Sequence, residues 1–304
     1  MTPVLGLGDA IARKTKSHTV RPGSGMIRRG FFRALDMVTG SLSFASVGPD
    51  CIFAVMMGMK ISNCLPWSMS RAKKYVFLFD AWPGQYDKIT RFVHKYSVDV
   101  LYVTALQSQE VLSAKLGSSR VKYVPEGISP ELYSSSDSLD KKLDVINLGR
   151  TLESHHNALS AIQDNRQRTY LSGVRKFPTH QEMSAALASA RISICFPANQ
   201  THPARAGNVS TMTLRYLEAM ASKCLIVGST PHDMRHLFDY DPVIQADLDA
   251  PVEQIDHILK HYDSYLPLVE RNYREVLTKH TWERRWHEIL DMTPELKAQC
   301  CCKI

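Results

Sequence analysis

An arginine and a glutamate lie three positions apart in TMTLRYLEAMASKCLIVGSTP, residues 211–231. This segment begins with the pattern of a helix and ends with the apolar run of a buried strand. Arg215 and Glu218 therefore fall near a predicted helix N-terminus, where free backbone N–H groups and the helix dipole favour anions. A guanidinium at this position suits a phosphate, and a carboxylate one turn further suits the two hydroxyls of a ribose. The alternative is a surface ion pair, which stabilises a helix by only about 0.2–0.5 kcal/mol.

Three hydroxyl side chains precede this pair. Ser210 or Thr211 is the predicted N-cap of the helix, because side chains of this type accept hydrogen bonds from the free N–H groups of the first turn. Thr211 and Thr213 also provide hydroxyl donors for a phosphate beside Arg215. The helix start together with Glu218 is therefore a predicted cradle for a nucleoside diphosphate.

Further cations follow two other apolar runs. Arg150 comes directly after Gly149 at the end of the predicted strand DVINLGR, and Arg175 and Lys176 lie on the next loop. Arg150 is a predicted phosphate ligand, and either Arg175 or Lys176 can neutralise a second phosphate. Cations and a helix N-terminus can stabilise a leaving diphosphate without a metal, so we expect no metal. DLD at 247–249 is interpreted as a strand-to-helix turn.

An aspartate and a tryptophan near residue 80 are candidates for the acceptor side. Asp80 ends the predicted strand YVFLFD and is a candidate general base for an acceptor hydroxyl. Its alternative use is to cap the turn DAWPG. Trp82 is a candidate for stacking on a sugar face. His155 and His156 are expected to be surface residues at a helix start.

The elements that must position these side chains alternate between strand and helix from about residue 75. Two such series are separated by a Ser-rich segment at 128–142, which we interpret as a linker without a core-forming pattern. Alternating strands and helices predict parallel sheets covered by helices. The predicted class is α/β, with two Rossmann-like domains that face each other across a cleft. Ligands of such sheets bind outside the carboxyl ends of the strands, which is where Asp80, Gly149 and Arg150 lie.

The charge distribution indicates an anionic partner. The chain has 304 residues and a formal net charge of +7, and its first 74 residues hold eleven lysines and arginines against three acidic residues. GMIRRGFFRALDMV mixes arginine with apolar residues, which suits either a helix on an anionic membrane surface or a helix packed on the core. No secretory signal or membrane span is evident, so we expect a cytoplasmic protein. The alternative location is peripheral, at the inner face of the membrane. No nucleic-acid motif is present, and no such partner is expected.

Four segments resemble the group 1 glycosyltransferases of the GT-B fold, over roughly residues 120–290. In chain order they are VPEGISPELY, DVINLGR, LRYLEAMASKCLIVG and HTWERRWHEIL. The resemblance implies that Gly149 and Arg150 meet the donor phosphates and that Glu218 holds the ribose. It also implies an acceptor-side domain at 1–135, a nucleotide-sugar-binding domain at 136–280, and a helix within 281–304 that packs back toward the first domain.

One position departs from that family's pattern. Many members have two glutamates separated by seven residues, and here Ser210 occupies the place of the first, with Glu218 as the second. The sugar contact is therefore undefined, and a retaining outcome is only the expectation. The predicted function is sugar transfer from a nucleotide-diphosphate sugar to a carbohydrate or lipid-linked acceptor in polysaccharide biosynthesis, with no cofactor beyond that co-substrate. The alternatives are a non-catalytic nucleotide-sugar-binding protein, a nucleotide-sugar 2-epimerase and a nucleic-acid binder.

Overall fold

The computed structural model describes residues 3–15, 51–59, 67–136, 141–165, 168–173 and 177–301. The chain divides into two compact units. We call Thr2–Pro125 with Arg285–Ile304 the N-terminal unit, and Glu126–Arg284 the C-terminal unit. The sequence boundaries were predicted after residues 135 and 280. The predicted basic helix at 25–38 and the loop with Arg175 and Lys176 lie outside the described residues.

The N-terminal unit contains a parallel sheet of four strands in the order β1-β2-β3-β4. Its strands are β1 (Cys51–Met57), β2 (Lys73–Phe79), β3 (Val100–Val103) and β4 (Val121–Tyr123). Among the described residues, its helices before β4 are α1 (Pro3–Lys14), α2 (Tyr86–Lys95) and α3 (Leu106–Leu116). Helix α3 ends at Gly117 as predicted, where a φ of 95° favours glycine. Strand β1 was not predicted, because a short continuous apolar run carries no period that separates strand from helix.

The C-terminal unit contains a second parallel sheet, of five strands in the order β6-β5-β7-β8-β9. Its strands are β5 (Leu143–Asn147), β6 (Tyr170–Ser172), β7 (Ala190–Cys195), β8 (Leu225–Gly228) and β9 (Ile244–Gln245). Its helices up to residue 279 are α4 (Glu153–Asn165), α5 (His180–Ser189), α6 (Ala198–Thr201), α7 (Pro203–Ala206), α8 (Leu214–Ala221), α9 (Met234–Leu237), α10 (Pro251–Lys260) and α11 (Leu266–Lys279). Two C-terminal helices follow, α12 (Trp282–Met292) and α13 (Pro294–Cys301).

Both faces of this second sheet are buried. Neighbouring residues of one strand contribute to two different hydrophobic clusters: Ile146 belongs to one, whereas Val145 belongs to the other. Strand β8 divides in the same way, with Ile226 in the first cluster and Val227 in the second. Successive side chains of a strand point to opposite faces, so helices must cover both sides of the sheet. The predicted α/β class with two parallel sheets is confirmed.

The Ser-rich segment is more than a linker. Ile128 is 1% exposed, belongs to the core of the C-terminal unit and pairs with Thr281 in a short parallel bridge. Tyr133 also packs against that core. The sequence shows no core-forming pattern in this segment and so did not reveal that these two residues pack in the core. A 3-10 turn at Pro130–Leu132 separates the two apolar residues, so their spacing follows neither the helical nor the strand period.

Two smaller observations complete the fold. Cys195 and Cys224 are buried free thiols, as expected from their apolar surroundings in the sequence. Within the ranges that the structure describes, no helix combines the length and the apolar character needed to cross a bilayer.

Candidate functional site

A cavity of about 860 Å³ lies in the C-terminal unit, beside the carboxyl ends of β5 and β7. These two strands are parallel neighbours, so the loops that follow them meet at one edge of the sheet. The loop after β5, the start of α4, the segment around α6 and one residue of α8 line the cavity. The lining residues are Gly149, Arg150, Thr151, Leu152, Glu153, His156, Asn157, Gln200, Thr201, His202 and Arg215.

Gly149 and Arg215 are in close contact at this cavity. Gly149 has a φ of 83°, and a Cβ built there would lie 2.3 Å from Cζ of Arg215. Position 149 therefore requires glycine for two reasons, its backbone conformation and the space that the guanidinium occupies. Because Arg150 is the next residue and lines the same cavity, the fold brings the two predicted phosphate-binding arginines together.

The guanidinium of Arg215 is only partly satisfied by the protein. Its Nη1 atom is buried and has no hydrogen-bond partner among the described residues. An unpaired buried N–H is unfavourable, and a phosphate oxygen would satisfy it through a charge-assisted hydrogen bond. Thr151 and Leu152, which precede α4, line the same cavity, so the free N–H groups of that helix start lie nearby. The arrangement suits an anion with more than one phosphate.

Helix α8 begins later than predicted. Thr213 occupies the N-cap position in an extended conformation, without a side-chain capping bond, and the helix starts at Leu214. The prediction that Ser210 or Thr211 is the N-cap is therefore wrong. Neither of these two residues lines the cavity, and nor does Thr213.

Asp233 explains why Thr211 does not cap the helix. The Thr211 hydroxyl donates to Oδ2 of Asp233 at 2.6 Å, and the Met212 N–H donates to Oδ1 at 2.7 Å. Ser210 accepts a bond of 3.3 Å from the N–H of His232. Asp233 is 1% exposed, so this carboxylate is a buried anchor for the loop that leads into α8. Sequence reasoning missed Asp233, which lies 21 and 22 positions from its partners and carries no local signal.

Glu218 lies apart from the cavity lining and is 7% exposed. The hydroxyl of Tyr133 donates a hydrogen bond of 2.8 Å to its Oε1. Burial raises the pKa of Glu218, whereas the charge of Arg215 and the bond from Tyr133 act in the opposite direction. Tyr133 was not predicted as a site residue, because its partner lies 85 positions away in the sequence.

Asp80 and Trp82 belong to the N-terminal unit, directly after β2. Asp80 has a φ of 59°, a conformation that is uncommon for residues other than glycine. Its carbonyl accepts a hydrogen bond of 2.9 Å from the N–H of Trp82. The side chain of Trp82 is 4% exposed, which leaves little of its ring available for stacking on a sugar.

The two histidines at the start of α4 differ from the sequence expectation. His155 is 2% exposed, and its ring meets that of Phe196 edge-on with the centroids 5.1 Å apart. The expectation of a surface residue is wrong there, because the ring packs against Phe196. His156 is half-buried, and its Nδ1 lies 2.7 Å from the hydroxyl of Tyr170.

We expect His155 to make the protein less stable in mild acid. Burial lowers the pKa of His155 from 6.5 to about 4. The penalty for keeping the ring neutral is absent above pH 6.5 and grows as the pH falls toward 4, by up to about 3 kcal/mol. Neither ring nitrogen has a hydrogen-bond partner in the described structure, so His155→Leu should leave the free energy of unfolding at pH 7.5 nearly unchanged.

Urea unfolding at pH 7.5 and at pH 5 measures this effect. The stability of wild type should fall more between these two pH values than that of His155→Leu. The exposed His94→Leu variant should behave like wild type and serves as the control. An equal decrease in the free energy of unfolding of wild type and His155→Leu between the two pH values would contradict the prediction.

The DLD sequence at 247–249 forms the predicted turn between β9 and α10. Oδ1 of Asp247 accepts hydrogen bonds of 3.0 Å from the N–H groups of Asp249 and Ala250. This carboxylate oxygen therefore organises the backbone of the turn, and the interpretation is confirmed.

Comparisons with known proteins relate this geometry to a family. Residues 150–291 match the Glyco_trans_1_2 family, described as glycosyl transferase-like. No curated protein sequence matches the chain. Among solved structures, sucrose-phosphate synthase from Thermosynechococcus elongatus is 13% identical, with a TM-score of 0.61 over 96% of this chain and 92% of that one. HepE from Anabaena, solved in complex with UDP and glucose, is 9% identical, with a TM-score of 0.58 over 89% and 83%.

A third similar structure is TarM of S. aureus, at 10% identity and a TM-score of 0.52. The alignment covers 79% of this chain but 54% of TarM, so the chain spans about half the length of that protein. The family match includes Arg150, Arg215 and Glu218 and confirms the predicted enzyme class. The similar structures confirm the predicted fold. Over residues 150–291 the chain is therefore glycosyltransferase-like, and its two domains have the GT-B fold.

Proposed function

We propose that this protein transfers a sugar from a nucleoside-diphosphate sugar to a carbohydrate or lipid-linked acceptor. The observation that carries the proposal is the pair of arginines, Arg150 and Arg215, which line one cavity beside the start of α4. Two guanidinium groups and a helix N-terminus match the charge of a diphosphate. The complexes of HepE with UDP and with UDP-glucose support the donor class.

The proposed contribution of these residues is electrostatic. As the bond between the sugar and the diphosphate breaks, negative charge develops on the leaving phosphate. Arg150 and Arg215 would stabilise that charge from positions already set by the fold, which avoids reorganisation during the reaction. Glu218 would accept hydrogen bonds from the ribose. We also propose that no divalent metal is needed, and the rate should then be the same with EDTA as with magnesium.

We propose Asp80 as the general base toward the acceptor hydroxyl. Its strained backbone supports this assignment, since residues in sparsely populated conformations concentrate at functional sites. Asp80→Asn should lower kcat by about 10²–10⁴-fold, because it removes the proton acceptor and keeps a residue that tolerates positive φ.

Asp80→Gly separates the carboxylate from the strain. It relieves the backbone and should raise the melting temperature, yet kcat should fall as far as in Asp80→Asn. Full activity in both variants would remove Asp80 from the mechanism. A loss of kcat in Asp80→Gly but not in Asp80→Asn would indicate that the backbone conformation at position 80, and not the carboxylate, is required.

A nucleotide screen tests the proposed function. UDP, GDP, ADP, CMP and dTDP are added to the native protein, and the melting temperature is followed, because a ligand of the folded state raises it. At least one nucleoside diphosphate should stabilise wild type, and Arg150→Ala should lose that response. Arg274→Ala, which removes an exposed arginine of the same unit, should keep it. No response to any nucleotide would refute the donor site.

Turnover then separates an enzyme from a binding protein. The sugar nucleotide that carries the stabilising base is incubated with and without acceptor sugars, and release of the nucleoside diphosphate is measured. Release shows transfer or slow hydrolysis, whereas binding without release would favour a non-catalytic binding protein. Retention of the anomeric configuration, polysaccharide biosynthesis, contact with an anionic membrane and a location at its cytoplasmic face remain proposals from the sequence.

A further inference from the structure

Tyr133 contacts Glu218, the residue that binds the ribose in the proposed function. Its hydroxyl lies 2.8 Å from Oε1 of Glu218, and the sequence shows no link between the two. We propose that Tyr133 is a positioning residue that orients Glu218 for ribose hydroxyls and so sets the preference for ribonucleotides over 2′-deoxyribonucleotides. This inference rests on the proposed function, because it requires a nucleotide at Glu218.

The hydrogen bond leaves the carboxylate able to bind a ligand. A carboxylate has two oxygens and about four acceptor positions, so Tyr133 and the hydroxyls of a ribose can share it. Glu218 is 7% exposed, so the other acceptor positions are shielded from water and favour a ligand donor. A side chain held by one fixed donor also loses less conformational entropy when it binds a second.

Tyr133 is itself held in place on two sides. Its ring meets that of His180 edge-on, with the centroids 5.0 Å apart and the planes at 73°. The N–H of the following residue, Ser134, donates a bond of 2.8 Å to the hydroxyl of Ser184. His180 and Ser184 both lie on α5, so this helix anchors the segment that carries Tyr133. The phenol is thus fixed by α5 while its hydroxyl is directed at α8, which is the arrangement that a positioning residue requires.

Burial raises the pKa of Glu218, and the charge of Arg215 opposes this by favouring the ionised carboxylate. Arg215 lies one turn earlier on the same helix and interacts favourably with Glu218. With Arg215 at the phosphates and Glu218 at the ribose, a single helix would contact both parts of a nucleotide. Tyr133 would then act only on the ribose part, which makes its effect separable from phosphate binding.

Tyr133→Phe tests the inference, because it removes the hydroxyl and retains the ring. The dissociation constants of UDP and 2′-deoxy-UDP are measured by calorimetry, and the corresponding GDP and ADP pairs are used if the screen selects those bases. Wild type should prefer the ribonucleotide by about tenfold or more, since a site built to bond a hydroxyl rejects the analogue that lacks it. Tyr133→Phe should weaken the binding of the ribonucleotide by about tenfold and change the affinity for the deoxyribonucleotide little. The ratio of the two dissociation constants should then approach one.

Tyr240→Phe is the matched control. It removes a tyrosine hydroxyl that makes an equally short bond of 2.8 Å, to Oδ1 of Asn272, elsewhere in the same unit. This variant should keep the wild-type ratio even if its melting temperature falls. In a Glu218→Gln background, Tyr133→Phe should cause no further change in the ratio.

The outcomes separate the inference from the proposed function. If wild type discriminates between the two nucleotides and Tyr133→Phe retains the same ratio, the inference is overturned and the donor site stands. If wild type binds no nucleoside diphosphate, both are overturned. A collapsed ratio in Tyr133→Phe with an intact ratio in Tyr240→Phe supports the inference.

Discussion

Replacing Arg215 with alanine should lower kcat/KM for the nucleotide sugar by about 10²–10³-fold. Its guanidinium lies against Gly149, and its buried Nη1 has no hydrogen-bond partner among the described residues. A charge placed in advance where the leaving diphosphate becomes more negative acts more strongly in the transition state than in the ground state. We therefore expect a larger effect on kcat than on the affinity for the nucleoside diphosphate.

Two further variants sharpen this test. Arg215→Lys keeps the charge but loses the planar fork, so it should recover only part of the activity. Arg274→Ala removes an exposed arginine from the same unit and should leave kcat/KM unchanged. Steady-state kinetics with the sugar nucleotide selected by the screen provide the values. Wild-type kcat/KM in Arg215→Ala would remove this arginine from the donor site.

Gly149→Ala should reduce both stability and donor binding. A φ of 83° is unfavourable for alanine and should destabilise the fold by about 1–3 kcal/mol. The new methyl group would also lie 2.3 Å from Cζ of Arg215, so the guanidinium must move out of its position in the cavity. Activity should then fall about as far as in Arg215→Ala, by about 10²-fold or more.

Gly173→Ala separates these two causes. Gly173 has a φ of 98°, yet a Cβ there meets no atom of the described residues within 4 Å. This variant should lose stability as Gly149→Ala does but keep its affinity for the nucleoside diphosphate. Chemical unfolding and calorimetry on both variants give the two quantities. Equal affinities in Gly149→Ala and wild type would show that the position of Arg215 is unimportant.

Local sequence patterns were sufficient to predict most strands and helices of both units. Strand β2, helix α3 with its terminal Gly117, and the turn at Asp247 all have short-range signals: an apolar run, a glycine C-cap and an aspartate before two N–H groups. The joint location of Arg150 and Arg215 was also predictable, because parallel strands bring the loops after their carboxyl ends to one edge.

Only the tertiary structure decided which polar groups are available to a ligand. The sequence shows hydroxyls at Ser210 and Thr211 but not that Asp233 engages Thr211, nor that Tyr133 bonds Glu218. In the same way, it could not show that His155 is buried against Phe196. Each of these contacts joins residues far apart in the chain, and no local period or spacing encodes such a pair. Backbone patterns follow from neighbours in sequence, whereas hydrogen-bond partners of buried side chains depend on how the elements pack.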